Sequence, residues 1–71
     1  MERTPVSSSN LESIGYDERT NTLEVAFLNG TIYQYSGVPA SIYKGLMLAS
    51  SHGSYLDRHV KKAGYSYHRV L

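Results

Sequence analysis

Apolar and polar residues alternate over three short stretches in the first half of the chain. In the first stretch, Ile14 and Tyr16 alternate with small or polar residues and lead into the polar run D-E-R-T-N. The second stretch, T-L-E-V-A-F-L, places Leu23, Val25 and Phe27 on one face. The third, T-I-Y-Q-Y, follows the dipeptide N-G, which is a strong signal for a hairpin. Because a period of two is typical of half-buried strands, the pattern predicts a three-stranded antiparallel meander.

The second half of the chain carries apolar residues at the spacing of helices. Pro39 suits a first helical turn, and the apolar residues around it share one face: Val38, Ile42, Leu46 and Ala49. A second short helix is predicted, with Ser51 or Ser54 as its cap and Gly64 at its end. Its apolar stripe consists of Tyr55, Leu56, Val60 and Ala63. The predicted fold is therefore α+β with the order β-β-β-α-α. We expect residues 1–9 to form a loose leader, and the tail Y-S-Y-H-R-V-L to be a short strand or a docked extension.

The loop of the predicted hairpin decides which way Tyr33 and Tyr35 point. A two-residue loop at N-G places Val25 opposite Gln34 and turns both tyrosine rings away from the core. A three-residue loop, L-N-G, closed by a glycine in the left-handed conformation, pairs Val25 with Tyr33 and turns both rings inward. We favour the three-residue loop, because each ring buries on the order of 150 Å² and so small a core needs that area. The alternative leaves the two rings as a stacking platform on the surface.

Length and composition limit the class of protein. A single domain of 71 residues buries only about 60% of the surface of its unfolded chain. The chain has no cysteine, so disulfides and thiolate metal sites are excluded and a reducing compartment is expected. No apolar run approaches the roughly 18 residues of a membrane span, and the N-terminus lacks the features of a signal peptide. We therefore expect a cytoplasmic protein with no membrane partner.

The net charge of +1 conceals an asymmetry between the two halves of the chain. Residues 1–42 hold five acidic and two basic residues, whereas in residues 43–71 five basic residues accompany the single acid Asp57. A small domain that is polarised in this way can present a basic face to a polyanion.

The candidates for nucleic-acid binding are the cationic and aromatic residues of the second half: Arg58, Lys61, Lys62, Tyr65, Tyr67 and Arg69, with Lys44 and His68 extending the patch. The first three lie at i, i+3 and i+4 of the second predicted helix and are expected to share one side. The two tyrosines can stack on unpaired bases. This pattern predicts weak, salt-dependent RNA binding. The alternative is a solvated helix face with an ion pair between Asp57 and Lys61.

A second candidate site is the turn S-S-H-G-S, which consists of Ser50, Ser51, His52, Gly53 and Ser54. These small residues precede a helix whose first N–H groups can hold a phosphate, as in a nucleotide-like ligand, or a carboxylate, although no P-loop lysine follows. The alternative is ordinary helix capping. A protein partner or a second copy of the chain is a further alternative, because Leu28 and Ile32 are exposed in the favoured register and the sheet has free edges.

We expect no catalytic residues, no metal and no cofactor. The turn and Asp57 supply the residue types of a hydrolytic triad, but adjacent residues cannot orient one another as nucleophile and base. The three histidines lack the spacing of metal ligands. The chain is therefore predicted to bind a partner and not to be an enzyme.

Several short motifs, taken in order, resemble those of the KTSC domain family, which occurs at the C-terminus of some lysyl-tRNA synthetases. The matching segments are V-S-S-S, S-I-G-Y-D, L-E-V-A-F-L-N-G, I-Y-Q-Y-S-G-V-P and A-S-S-H-G-S-Y-L-D-R-H-V. They extend from about Val6 to Tyr65, and Tyr33 and Tyr35 match the Tyr-x-Tyr motif of the family. Without a synthetase domain, the chain resembles the free-standing form. The resemblance implies no established catalytic activity, and it suggests RNA binding only by analogy.

Overall fold

The chain forms one antiparallel sheet of five strands with two helices packed on one face. A computed structural model describes residues 1–71. The strands are β1 (Thr4–Pro5), β2 (Leu11–Asp17), β3 (Thr22–Phe27), β4 (Ile32–Tyr35) and β5 (Tyr67–Arg69), and each pairs with the next in chain order. The helices are α1 (Ala40–Leu48) and α2 (His52–Leu56), and α2 continues into a π-helical turn, Asp57–Lys61. The α+β class and the central meander β2-β3-β4 agree with the prediction, and the tail is a strand.

The hairpin between β3 and β4 has the three-residue loop that the sequence favoured. Val25 lies opposite Tyr33, and Leu23 lies opposite Tyr35. The loop closes with a hydrogen bond from the Phe27 N–H to the Thr31 carbonyl at 2.8 Å. Gly30 has a φ of +92°, a left-handed conformation that glycine adopts without steric cost. The predicted register is confirmed, and both tyrosine rings point to the face on which the helices pack.

The core lies between this face of the sheet and the helices. It contains nine buried residues: Leu11, Ile14, Leu23, Val25, Tyr35, Val38, Leu46, Leu56 and Val60. The register of β2 against β3 shifts between Leu11 and Ser13, which is a β-bulge. Because a bulge inserts one extra residue, Leu11 and Ile14 both reach the core although they are three positions apart.

The N-terminal segment is ordered, which corrects the expectation of a loose leader over residues 1–9. Thr4 and Pro5 pair with Ile14 and Ser13 as an edge strand. Proline is tolerated there because an edge strand leaves one side of its backbone unpaired. The Val6 N–H also donates to the Glu12 carbonyl at 3.1 Å. The leader therefore adds a strand to the sheet.

A polar network on the face opposite the helices fixes this segment. Glu24 is only 5% exposed, and its carboxylate accepts hydrogen bonds from Arg3 Nη1 at 2.6 Å and from Gln34 Nε2 at 2.7 Å. Arg3 Nε also donates to Ser13 Oγ at 3.0 Å. Burial alone would raise the pKa of Glu24, but the hydrogen bonds from Gln34 and Arg3, together with the charge of Arg3, lower it below its usual value.

The second helix begins as predicted and ends with a wider turn. Ser51 is its cap, since Ser51 Oγ accepts a hydrogen bond from the Ser54 N–H at 3.3 Å. Further along, the Lys62 N–H donates to the Asp57 carbonyl at 3.0 Å, an i to i−5 bond. A turn of this width rotates the residues that follow, and Ala63, predicted to lie on the apolar stripe, is exposed.

The π-helical turn also changes the predicted ion pair. Asp57 pairs with Lys62 at 3.2 Å and not with Lys61, because five positions, rather than four, complete this turn. Lys61 is thereby left to face the sheet. None of the helices is long and apolar enough to cross a bilayer.

Candidate functional site

Four aromatic rings form a cluster on the part of the sheet that the helices leave open. This ring cluster consists of Phe27, Tyr33, Tyr35 and Tyr67. Tyr67 lies opposite Tyr35 in the pairing of β4 with β5, so its ring points to the same face. Its ring centroid is 6.0 Å from that of Tyr33 and 5.9 Å from that of Tyr35. Phe27 packs edge-on against Tyr33, with 5.9 Å between centroids. The rings therefore make one continuous apolar floor.

Exposure within the ring cluster rises from the core outward. Tyr35 is 4% exposed and belongs to the core, Phe27 and Tyr33 are half-buried, and Tyr67 is 64% exposed. Burial raises the pKa of the Tyr35 phenol, and the neighbouring Tyr33 and Tyr67 raise it further. The core role predicted for the tyrosine pair thus holds for Tyr35, and Tyr33 is half-buried and packs against the core. Tyr67 is the most exposed ring of the cluster.

A cavity of about 550 Å³ opens over these rings, and we call it the aromatic cavity. Lys61 and Arg69 lie on its rim, and no acidic side chain lines it. Lys61 Nζ is 5.1 Å from the centroid of the Phe27 ring. Arg69 lies opposite Tyr33 in the strand pairing, and its Nε donates to a backbone oxygen of Leu71 at 2.9 Å. The cavity therefore combines an apolar floor with a positive rim.

Three of the six residues proposed for nucleic-acid binding meet at the aromatic cavity, namely Lys61, Tyr67 and Arg69. The other three do not line it. Arg58 is exposed outside the cavity, Lys62 pairs with Asp57, and Tyr65 is half-buried against the core. Of the residues expected to extend the patch, Lys44 lies outside the cavity on α1, and His68 lies opposite Gln34 on the other face.

The cavity lining also includes Phe27, Asn29 and Thr31, which sequence reasoning did not assign to a site. A signal for Phe27 was present, because the favoured register places it on the same face as Tyr33. The two polar residues, Asn29 and Thr31, lie at the hairpin loop. There the Asn29 side-chain oxygen accepts hydrogen bonds from the Thr31 N–H and hydroxyl.

The predicted turn S-S-H-G-S lines a separate polar cavity of about 460 Å³. Residues 7–10 and 50–54 form its walls, and we call it the serine cleft. Two residues of the turn make hydrogen bonds that stabilise the fold. Ser51 caps α2, and His52 Nδ1 lies 2.8 Å from the Leu46 carbonyl. Because a carbonyl only accepts, Nδ1 of His52 carries the proton. The contribution of residues 7–9 was missed because they belong to the predicted leader, and Asn10, which follows it, was assigned to no site.

Comparisons with known proteins match the chain to one family. The model of the KTSC domain matches residues 7–70. A protein from Stutzerimonas stutzeri is 37% identical over 70 residues, which are 99% of each chain. The crystal structure of a KTSC domain protein from Yersinia pestis superposes with a TM-score of 0.90 at 38% identity, covering 99% of this chain and 97% of that one. The lysine–tRNA ligase of Nostoc punctiforme is 32% identical over 51 residues, which are 72% of this chain but 9% of the ligase.

Proposed function

The chain belongs to the KTSC domain family, as its motifs indicated, and we propose that it is a small, non-catalytic module that binds RNA weakly through unpaired bases. The observation that carries this proposal is the aromatic cavity, where an exposed ring, Tyr67, stands beside two cations and no acid. Aromatic rings stack on bases of any sequence. The cations Lys61 and Arg69 attract the phosphates that adjoin the stacked bases.

The magnitudes favour weak binding. One base stacked on an aromatic ring contributes about 1–3 kcal/mol, and the open ring of Tyr67 has room for one such contact on its solvent side. Two cations neutralise about two phosphates, for which the logarithm of the affinity for a single strand falls with a slope of about −1.4 against the logarithm of the salt concentration. An affinity built from these contacts is modest at physiological salt and rises markedly at low salt.

The relative from Nostoc punctiforme is compatible with an RNA partner. By its name, that ligase acts on a tRNA, and a stretch similar to 72% of this chain occurs within it. An RNA-binding role for the shared domain would account for its presence there. This support is an analogy between relatives and is independent of the cavity geometry.

An amide-shift titration tests the proposal. At low salt, a single-stranded RNA hexamer is expected to shift the amides of Tyr33, Lys61 and Tyr67, and tRNA is expected to do the same through its unpaired regions. Tyr67→Ala should weaken these shifts, whereas His68→Ala, its neighbour on the opposite face of the same strand, should not. The absence of shifts around the aromatic cavity with every RNA would rule the proposal out.

A second candidate is a nucleotide-like or protein ligand in the serine cleft. What favours it is the purely polar lining of that cavity, which presents hydroxyl, amide and imidazole groups. What opposes an anionic ligand is that neither lysine nor arginine lines it. A titration with mononucleotides that shifts residues 50–54 alone would favour this candidate over RNA.

A further inference from the structure

The aromatic cavity and the serine cleft are the two ends of one groove. Between them lies a third cavity of about 470 Å³. This middle cavity shares Phe27, Asn29 and Lys61 with the aromatic cavity. It shares Ser9 and Asn10 with the serine cleft. The three cavities therefore adjoin, and the two sites that the sequence suggested separately are connected.

The side chains that line the groove include two cations and no acid. Its only lysine and arginine are Lys61 and Arg69, and none of the six acidic residues of the chain lines any of the three cavities. Lys61 lines both the aromatic and the middle cavity, so its amine marks the passage between them. No acidic side chain along this path repels an extended polyanion, and Lys61 attracts it between the aromatic and middle cavities.

The serine cleft supplies uncharged hydrogen-bonding groups. Ser7, Ser9 and Ser50 are exposed, and their hydroxyls make no hydrogen bond within the chain. Hydroxyl and amide groups without a countercharge suit sugar hydroxyls and base edges better than they suit phosphate. The ribose 2′-hydroxyl, which both donates and accepts, is the group that distinguishes RNA from DNA.

Building on the proposed function, we propose that the groove holds one strand of RNA along its whole length. An unstacked base lies on the Tyr67 ring of the cluster, a phosphate lies at Lys61, and ribose hydroxyls of the following nucleotides lie in the serine cleft. Two consequences follow. Affinity increases with strand length beyond the one or two nucleotides that the aromatic cavity holds. Preference for RNA over DNA appears only for strands that reach the cleft.

The experiment compares RNA and DNA strands of identical sequence, at lengths of two and six nucleotides, by amide-shift titration at low salt. Ser9→Asp and Ser50→Asp each place a negative charge in the serine cleft. Ser41→Asp is the matched control, since Ser41 is exposed on α1 and lines none of the three cavities. Retained amide spectra away from the cleft show that the variants are folded.

The unsubstituted protein is expected to bind the RNA hexamer more tightly than the DNA hexamer, and to bind the two dinucleotides equally. Each cleft variant should weaken the RNA hexamer about fivefold, the scale of one charge repulsion at about 4 Å in water, and leave the dinucleotide unchanged. Equal affinities for RNA and DNA hexamers, with no effect of the cleft variants, would overturn this inference and leave binding at the aromatic cavity intact. If no oligonucleotide of either length binds, the proposed function fails together with it.

Discussion

The side-chain amine of Lys61 lies 5.1 Å from the centroid of the Phe27 ring, so a cation of the helical layer covers an aromatic ring of the sheet. The π-helical turn produces this contact, because it pairs Asp57 with Lys62 in a salt bridge and turns Lys61 toward the sheet. An exposed cation–π pair contributes about 0.5–1 kcal/mol. The larger consequence is positional, since the pair joins the aromatic and middle cavities of the groove.

Replacing Lys61 should reduce both RNA affinity and its dependence on salt. Lys61→Ala removes one phosphate contact, so the slope of the logarithm of affinity against that of salt concentration should decrease in magnitude by about 0.7. Lys44→Ala is the control, because it removes the same charge from α1, outside the groove. Binding of a single-stranded RNA measured at several salt concentrations gives both slopes. Equal slopes for the two variants would place the phosphate contact elsewhere.

Tyr35 and Tyr67 should separate stability from binding. Tyr35→Ala empties a core position and is expected to lower the free energy of unfolding by about 3 kcal/mol. Tyr67→Ala removes a ring that is 64% exposed and should cost less than about 1 kcal/mol, while weakening RNA binding by about 1–3 kcal/mol. Urea denaturation and RNA titration of the two variants give the four values. A loss of stability below about 0.5 kcal/mol for Tyr35→Ala would contradict its core assignment.

The hairpin could be predicted because its determinants are local. Residues 22–35 contain the N-G dipeptide, the alternation of period two and the two tyrosine rings that must be buried. Together these signals select the pairing of Val25 with Tyr33. The strand β1 could not be found in this way. It has only two residues and no alternation, and its anchor is the contact of Arg3 with Glu24, twenty-one positions away.

The candidate site was predicted in pieces and missed as a whole. The tyrosine pair and the basic second half were both recognised, but their meeting depends on the pairing of Tyr67 with Tyr35, which a short tail does not specify by its own pattern. The direction of Lys61 depends on the π-helical turn, which i, i+4 spacing does not anticipate. The serine cleft needs residues 7–10 beside residues 50–54, a contact between distant segments.

Gly45 and Gly53 should respond in opposite ways to alanine. A Cβ at Gly45 would overlap the phenol end of Tyr55, with 2.7 Å to its Cζ, so Gly45→Ala must displace that ring. We expect a loss of about 1–2 kcal/mol in the free energy of unfolding despite the better helix propensity of alanine. A Cβ at Gly53 meets only Asn10 Nδ2 at 3.4 Å, so Gly53→Ala should be neutral or slightly stabilising.

The cause of the Gly45 effect can be isolated with a double-mutant cycle. In a Tyr55→Ala background the obstructing ring is absent, and Gly45→Ala should no longer destabilise the protein. Urea denaturation of the single and double variants gives the coupling energy. An equal cost of Gly45→Ala in both backgrounds would show that the loss arises from something other than contact with Tyr55.

The carboxylate of Glu24 should make stability depend on pH in the acidic range. The pKa of Glu24 in the folded protein lies below its usual value, because hydrogen bonds from Gln34 and Arg3 outweigh its burial. Its contribution to stability is therefore present above the unfolded pKa of about 4.3 and is lost as the pH falls through the folded pKa.

Glu24→Gln should lower the free energy of unfolding by about 2 kcal/mol at pH 7, and by much less at pH values below the folded pKa. Urea denaturation at both ends of this range measures the difference, with Glu18→Gln in the exposed loop before β3 as the control. A cost of Glu24→Gln that is unchanged at low pH would show that the side chain stabilises the sheet through its shape and not through its charge.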